Sequence, residues 1–342
     1  MRKKTSPVIT QFLSYKGVIQ NRSPLTVGEY SGDLHMFFRF LLSNRGGEDS
    51  NADGFEPAGE IDISAVDAEF IASVTTSEIY EFLLYLARTK KLSPRTMARK
   101  LSAIKGFFKY HAVKSKLIPS DPAKEIDSPT VKQTLPKYLS LEESITLLGA
   151  VDKTKPFYER DYCILTLFLN CGMRLSELVG INLSDIDSDL IKMTVIGKGR
   201  KPRIVYLNAA CRAAVSNYLP KRDLFASKCS SPIDLSSKDA LFLSRFNRRI
   251  SNKTVQWLVK KHLAGARLGG KGYSTHKLRH TAATLMYNQG GVDIRTLKDI
   301  LGHEQLNTTQ IYTHVSDKAL EKAMDQNPLS AHTPAGGSEK KN

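Results

Sequence analysis

The sequence predicts a mainly α fold in two parts, an N-terminal helical bundle followed by a mixed α/β domain with a small antiparallel sheet. Three observations predict it. Apolar residues in the first ~120 positions recur at helical spacing. Only two neighbouring segments, Leu190 to Ile196 and Arg203 to Leu207, read as strands. Between the two parts, Ile118 to Pro136 carries Pro119, Pro122, Pro129 and Pro136 among Ser, Asp and Thr, the composition of an extended linker.

Ser23-Pro24 supplies an N-cap with proline at the first helical position. Behind it Val27, Tyr30, Leu34, Phe37, Phe38 and Leu41 form an apolar stripe. A second helix is expected near Ser77 to Thr89, through Ile79, Phe82, Leu83 and Leu86. The Ser-Pro-x-Thr start returns at Ser93, before Met97, Leu101, Ile104, Phe107 and Phe108. These elements suggest a bundle of about four helices over 1–118. Within it, Arg45 to Glu69 holds eight acidic residues, one basic residue and several glycines, and reads as an exposed acidic insertion at about 45–70. After a linker over 119–137, a second domain over 138–327 opens on the capping box Ser140-Leu141-Glu142-Glu143, with a helix from Ile145 to Val151. A long apolar helix follows from about Arg160 to Leu169, then the two strands, joined at Gly197-Lys198-Gly199-Arg200-Lys201. Helices are expected from there onward, and 328–342 reads as a disordered tail.

Charge narrows the class of function. Fifty Lys and Arg against 34 Asp and Glu give a formal net charge of +16 over 342 residues, and the pI is about 9.6. That excess favours a polyanionic partner, nucleic acid first and an anionic membrane surface second. No apolar run of ~18 residues exists to span a membrane, and no signal core follows the basic N-terminus, so a cytoplasmic location is expected. Cys163, Cys171, Cys211 and Cys229 lack CxxC spacing and read as core or surface thiols. From Arg88 to Lys116 there are ten Lys or Arg and no acidic residue. Arg95, Arg99, Lys105 and Lys109 interleave there with the buried stripe, and phosphate contact explains unopposed charges better than a merely solvated face does.

Four short motifs of the second domain carry chemistry. In Gly172-Met173-Arg174-Leu175-Ser176-Glu177-Leu178, Arg174 follows a helix break and can project into a cleft. Lys198 sits between two glycines at the hairpin tip, suited to reach a phosphate or a leaving oxygen. In Thr275-His276-Lys277-Leu278-Arg279-His280, His276 and Arg279 share a face of a helix's first turn, where an anion is favoured. A zinc reading of His276 and His280 fails the zincin pattern, which needs Glu where Lys277 stands. The fourth motif is Leu301-Gly302-His303, with Tyr312 nine residues on in Thr308-Thr309-Gln310-Ile311-Tyr312-Thr313-His314-Val315.

The order Arg, Lys, His-x-x-Arg, His, Tyr, with these local contexts across Ser140 to Val315, resembles the tyrosine recombinase (phage-type integrase) family. The two-part layout is similar to its short Xer-like members. The resemblance implies a SAM-like core-DNA-binding domain that forms one half of a clamp on duplex DNA, followed by a catalytic domain. It implies site-specific DNA strand breakage and rejoining through a 3′-phosphotyrosyl intermediate, with no metal and no ATP. Tyr312 would be the nucleophile, Arg174 and Arg279 the phosphate clamp, and Lys198 the acid for the leaving 5′ oxygen. His276 and His303 would bond phosphate oxygens and assist proton transfer, and Glu177 would orient Arg174. Arg95, Arg99, Lys105 and Lys109 would bind DNA. The segment Lys318 to Met324 resembles the helix exchanged between protomers, which implies a tetramer on paired inverted-repeat core sites. A paralogous recombinase, or an accessory or translocase protein, is compatible with this layout, and so are chromosome dimer resolution and mobile-element integration or excision.

Three rivals remain distinguishable. A type IB topoisomerase-like enzyme would share the nucleophile without synapsis. A non-catalytic DNA-binding protein would not need all six catalytic positions filled. A metal nuclease built on His276, His280, His303 and His314 would stop in EDTA.

Overall fold

The structure is a computed structural model that describes residues 6–46, 61–130, 137–197, 199 and 201–302. The chain divides into two compact units, Met1–Gln133 and Thr134–Asn342.

The first unit contains α1 (Pro7–Ser14), α2 (Pro24–Arg45), α3 (Ala68–Ala72), α4 (Thr76–Arg88) and α5 (Pro94–Lys109). Both Ser-Pro starts cap as expected, with Ser23 and Ser93 accepting from the Thr26 and Thr96 amides. Helix α4 opens on a full capping box between Thr75 and Glu78. The core is aromatic. Phe12, Phe37, Phe38, Phe82, Phe107 and Phe108 are wholly buried, and Phe37–Phe82 and Phe38–Phe107 meet edge-on at 5.1 and 5.3 Å. Each such pair adds ~0.5–1.5 kcal/mol beyond the area it buries.

Two expectations for this unit are corrected. The acidic segment is not an exposed loop throughout. Residues 47–60 lie outside the described residues, but Ile63, Val66 and Ile71 are buried in the core. There Asp62 and Asp67 cap helical turns through the Ser64 and Phe70 amides, and Arg45 pairs with Glu78 through two hydrogen bonds. Nor are the ten basic residues unopposed. Arg99 and Lys100 both bond Asp33 of α2, at 3.0 and 2.8 Å. A count along the chain cannot see a carboxylate 66 residues away. Part of the expected linker also belongs here, since Ala123 and Ile126 are buried in the same core.

His111 lies at the end of this bundle, fully buried, with Nε2 at the Val8 carbonyl and Nδ1 at Ser115 Oγ. Burial lowers its pKa from the ordinary 6.5 to about 4. The unfolded chain therefore binds more protons than the folded one between those values. His111 thus contributes stability that is present in full above pH 6.5 and lost as pH falls toward 4. A urea midpoint is expected to fall between pH 7 and pH 4.5, and His111→Gln should flatten part of that fall. An identical pH profile in the variant would show that the ring does not titrate this way.

The second unit contains α6 (Leu141–Gly149), α7 (Tyr158–Cys171), α8 (Leu175–Gly180), β1 (Lys192–Ile196), β2 (Pro202–Tyr206), α9 (Ala209–Lys228), α10 (Asn252–Gly265), α11 (Thr275–Asn288) and α12 (Ile294–Leu301). Helix α7 is apolar on nearly every side because it runs through the core, with Cys163, Ile164, Leu165, Leu167 and Phe168 wholly buried. The sheet is one antiparallel pair whose register sets Lys192 against Tyr206 and Val195 against Arg203. Helices resume at α9 as the sequence suggests, but over the described residues they are not continuous from there. Residues 229–250 are mostly irregular, held by Arg222 on the Lys238 and Ala240 carbonyls and by Arg249 on the Val179 and Ile181 carbonyls. Cys163, Cys171 and Cys211 are buried thiols, and Cys229 is half-buried. Among the described residues no helix is long and apolar enough to cross a membrane.

Candidate active site

The site begins where α7 ends. Gly172 takes the left-handed conformation (φ 57°), and a Cβ there would lie 2.8 Å from Leu301 Cδ2. Glycine therefore both stops the helix and admits α12 against it. Two residues later Arg174 caps α8, and its amide and Nη1 bond Glu177 at 2.8 and 2.7 Å. Its Nη2 donates to the Gly302 carbonyl at 2.9 Å.

Arg279, in the first turns of α11, is 3 % exposed. Its two terminal nitrogens donate to the Gly172 and Leu301 carbonyls, each at 2.7 Å. The last carbonyls of a helix lack intrahelical donors and carry the negative end of its dipole. The C-terminus of α12 thus holds both guanidinium groups side by side. Glu177, 2 % exposed, is the anion beneath them. Burial alone would raise its pKa, but hydrogen bonds and charge from Arg203 and bonds from Arg174 hold its carboxyl below the ordinary range.

His276 is exposed one helical turn from the buried His280, and their Nε2 atoms are 3.1 Å apart. Burial, followed by the charges of His276, Lys277 and Arg279, lowers the His280 pKa to about 4, so this ring is neutral near pH 7. Arg174, His276 and Arg279, with Met173, Leu175, Ser176, Asn252 and Thr275, line one open cleft of about 310 Å³.

Four of the expected site residues, Arg174, Glu177, His276 and Arg279, therefore come together. Lys198, His303 and Tyr312 lie outside the described residues, as do the segment Lys318 to Met324 and the tail over 328–342. Arg95, Arg99, Lys105 and Lys109 lie along α5 in the other unit. Arg95 and Lys109 are exposed, Lys105 is half-buried, and Arg99 is tied to Asp33. The sequence reading missed Arg203, which shares Glu177 with Arg174. Its one legible signal was an arginine within a strand, two residues beyond the basic hairpin tip.

A family model described as the phage integrase family matches residues 137–319, more than half of the chain. The chain belongs to the phage integrase family. A second model, the phage integrase N-terminal SAM-like domain, matches residues 63–114. This integrase-family chain is 50% identical over 327 residues to the tyrosine recombinase XerC of Caldanaerobacter subterraneus, covering 96% of this chain and 88% of that protein. It is 32% identical to XerC of Psychromonas ingrahamii, covering 94% and 95%. The XerH recombinase bound to a palindromic difH substrate, in a post-cleavage complex, shares the fold at TM-score 0.65 and 22% identity, covering 95% of this chain and 98% of that one. The chain is thus a tyrosine recombinase, an enzyme of DNA strand breakage and rejoining.

Proposed function

We propose that this recombinase acts as a Xer-type tetramer on paired inverted-repeat sites in chromosomal DNA, in the cytoplasm, and resolves chromosome dimers. The observation that carries this reading is the similarity to XerC along nearly the whole of both chains. In this reading Tyr312 attacks the scissile phosphodiester, breaking the bond to the 5′ oxygen and forming a 3′-phosphotyrosyl ester. Lys198 protonates that leaving oxygen. Attack by a 5′ hydroxyl on the ester reverses the chemistry, so rejoining needs no ATP. Arg174 and Arg279 clamp the non-bridging oxygens, where paired guanidinium forks outperform point charges. His276 and His303 bond the same phosphate and move protons near neutral pH.

The clamp geometry favours this assignment. A dianionic transition state would meet two fixed arginines whose orientation is set before substrate arrives, so little reorganisation accompanies the reaction. The test starts from sheared chromosomal DNA of the host. Fragments that become covalently attached to the protein in EDTA are enriched and sequenced. A single inverted repeat is expected, and a nicked duplex of that repeat should trap the adduct. Adducts scattered over unrelated sequences would favour a topoisomerase-like enzyme, cleavage without adducts that stops in EDTA would favour the metal nuclease, and binding with neither cleavage nor adducts would favour the non-catalytic protein.

The basic face of α5 is assigned to phosphate binding. Neutralising Arg95, Lys105 and Lys109 together should lower the slope of log affinity against log salt by ~0.9 for each phosphate that is no longer neutralised. An unaltered slope would place those charges off the DNA. Arg99 stands apart, because Asp33 already occupies its guanidinium.

A further inference from the structure

We infer that Arg203, which lines no part of the cleft, is a positioning residue for strand cleavage, setting the spacing of the two clamp arginines. The inference rests on the clamp role proposed for Arg174 and Arg279. Three consecutive carbonyls close α12, and each takes its shortest side-chain bond from a different arginine, Leu301 also accepting from Arg174 at 3.5 Å. Ile300 accepts from Arg203 at 2.6 Å, Leu301 from Arg279 at 2.7 Å, and Gly302 from Arg174 at 2.9 Å. Arg203 also reaches back to Glu177, with Nη2 2.9 Å from Oε2 and Nε 3.4 Å from Oε1. One guanidinium on β2 therefore joins the base of α8, which carries Arg174, to the end of α12, on which both clamp arginines rest.

The packing around it leaves little slack. The Glu177 side chain is fully buried and that of Arg203 is 13 % exposed. Gly302 has φ 63°, and a Cβ on it would lie 2.7 Å from Arg203 Cδ. The arginine stem thus fills the space that brings the Gly302 carbonyl onto Arg174. Without Arg203, Oε2 of Glu177 keeps the Arg174 amide, but the Ile300 carbonyl loses its side-chain donor and α12 loses its tie to the strand. The two clamp groups would then no longer be held at one separation, and misplacement of about 1 Å is enough to slow an oriented reaction ~100-fold. Lysine cannot replace the fork, since a single ammonium lacks the planar spread of donors that serves two acceptors in different directions.

The test measures single-turnover cleavage of a nicked duplex carrying the enriched inverted repeat, under saturating protein, for wild type, Arg203→Lys, Arg203→Met, Glu177→Gln and the Arg203→Met/Glu177→Gln double variant. DNA affinity and thermal melting are measured alongside. Arg203→Lys is expected to melt within a few degrees of wild type and bind DNA within about twofold, yet cleave ~10- to 100-fold more slowly, as when an outer partner of a catalytic ligand is removed. The double variant should cleave no more slowly than its slower parent, because both changes break one linkage. A purely structural ion pair would instead move melting and leave the cleavage rate per folded molecule unchanged. That result, or losses that multiply in the double variant, overturns the inference. Should Arg203→Met not fold, the lysine variant decides alone. Failure of wild type to form any adduct would overturn the proposed function itself, whereas full cleavage by the variants beside an active wild type removes only the role of Arg203.

Discussion

Phenylalanine in place of Tyr312 is expected to abolish the covalent protein–DNA adduct while DNA binding stays within about twofold of wild type. The substitution removes one oxygen and keeps the ring, so packing and charge are conserved and the nucleophile is not. Losing the nucleophile of a covalent mechanism costs on the order of 10⁴-fold or more in rate. A phenol ordinarily titrates near 10, so a tyrosine nucleophile at neutral pH needs a nearby group to take its proton. His276 and His303 are the candidates within the motif set. The measurement is denaturing electrophoresis of protein with end-labelled, nicked DNA, read beside a native binding gel. An adduct of undiminished yield in Tyr312→Phe would move the nucleophile elsewhere and dissolve the motif assignment. Loss of binding together with the adduct would show that the ring is chiefly structural.

Two of the motifs proposed as catalytic are legible because their spacing is local. Gly172 to Leu178 and Thr275 to His280 each fit within about two helical turns, where sequence separation and spatial proximity nearly coincide. What joins those motifs was not legible. Spacing along the chain pairs Glu177 only with Arg174, three residues away, although the carboxylate equally serves Arg203, 26 residues away in the second strand. The same limit hid the pairing of Asp33 with Arg99 and Lys100, and made α5 look more purely basic than it is. Acidic residues misled in the opposite direction. Asp62 and Asp67 are exposed, as an acidic surface stretch requires, but each also sits directly before a helical turn, where a carboxylate satisfies free amides. Buried Ile63, Val66 and Ile71 were the signal that this stretch belongs to the bundle. Helix α1 was overlooked although Ser6-Pro7 repeats the punctuation of the two recognised starts, and Val8, Ile9 and Phe12 fill its buried face.

Arg279→Ala and Arg174→Ala are both expected to slow cleavage ~10²- to 10³-fold, as for loss of a donor aimed at transition-state charge, or ~2.7–4 kcal/mol. Their effects on stability should differ. The Arg279 side chain is 4 % exposed, and its removal takes the arginine donor from the Gly172 carbonyl and leaves the Leu301 carbonyl only the longer 3.5 Å bond from Arg174 inside the protein. Each buried carbonyl so stranded costs ~1–3 kcal/mol. The Arg174 side chain is 30 % exposed, and Glu177 retains Arg203 when it is gone, so the buried carboxylate keeps a counter-charge. Arg174→Ala should therefore melt near wild type and fail in chemistry, while Arg279→Ala should fail in both. Arg279→Lys separates the two effects, because a charged side chain remains to meet one carbonyl but the paired geometry is gone. Single-turnover cleavage at saturating DNA and thermal melting of the same preparations decide the matter. A wild-type cleavage rate in either alanine variant would remove that arginine from the clamp. Equal melting losses in both would mean that the α12 carbonyls do not depend on Arg279 in the way the geometry of the C-terminal turn requires.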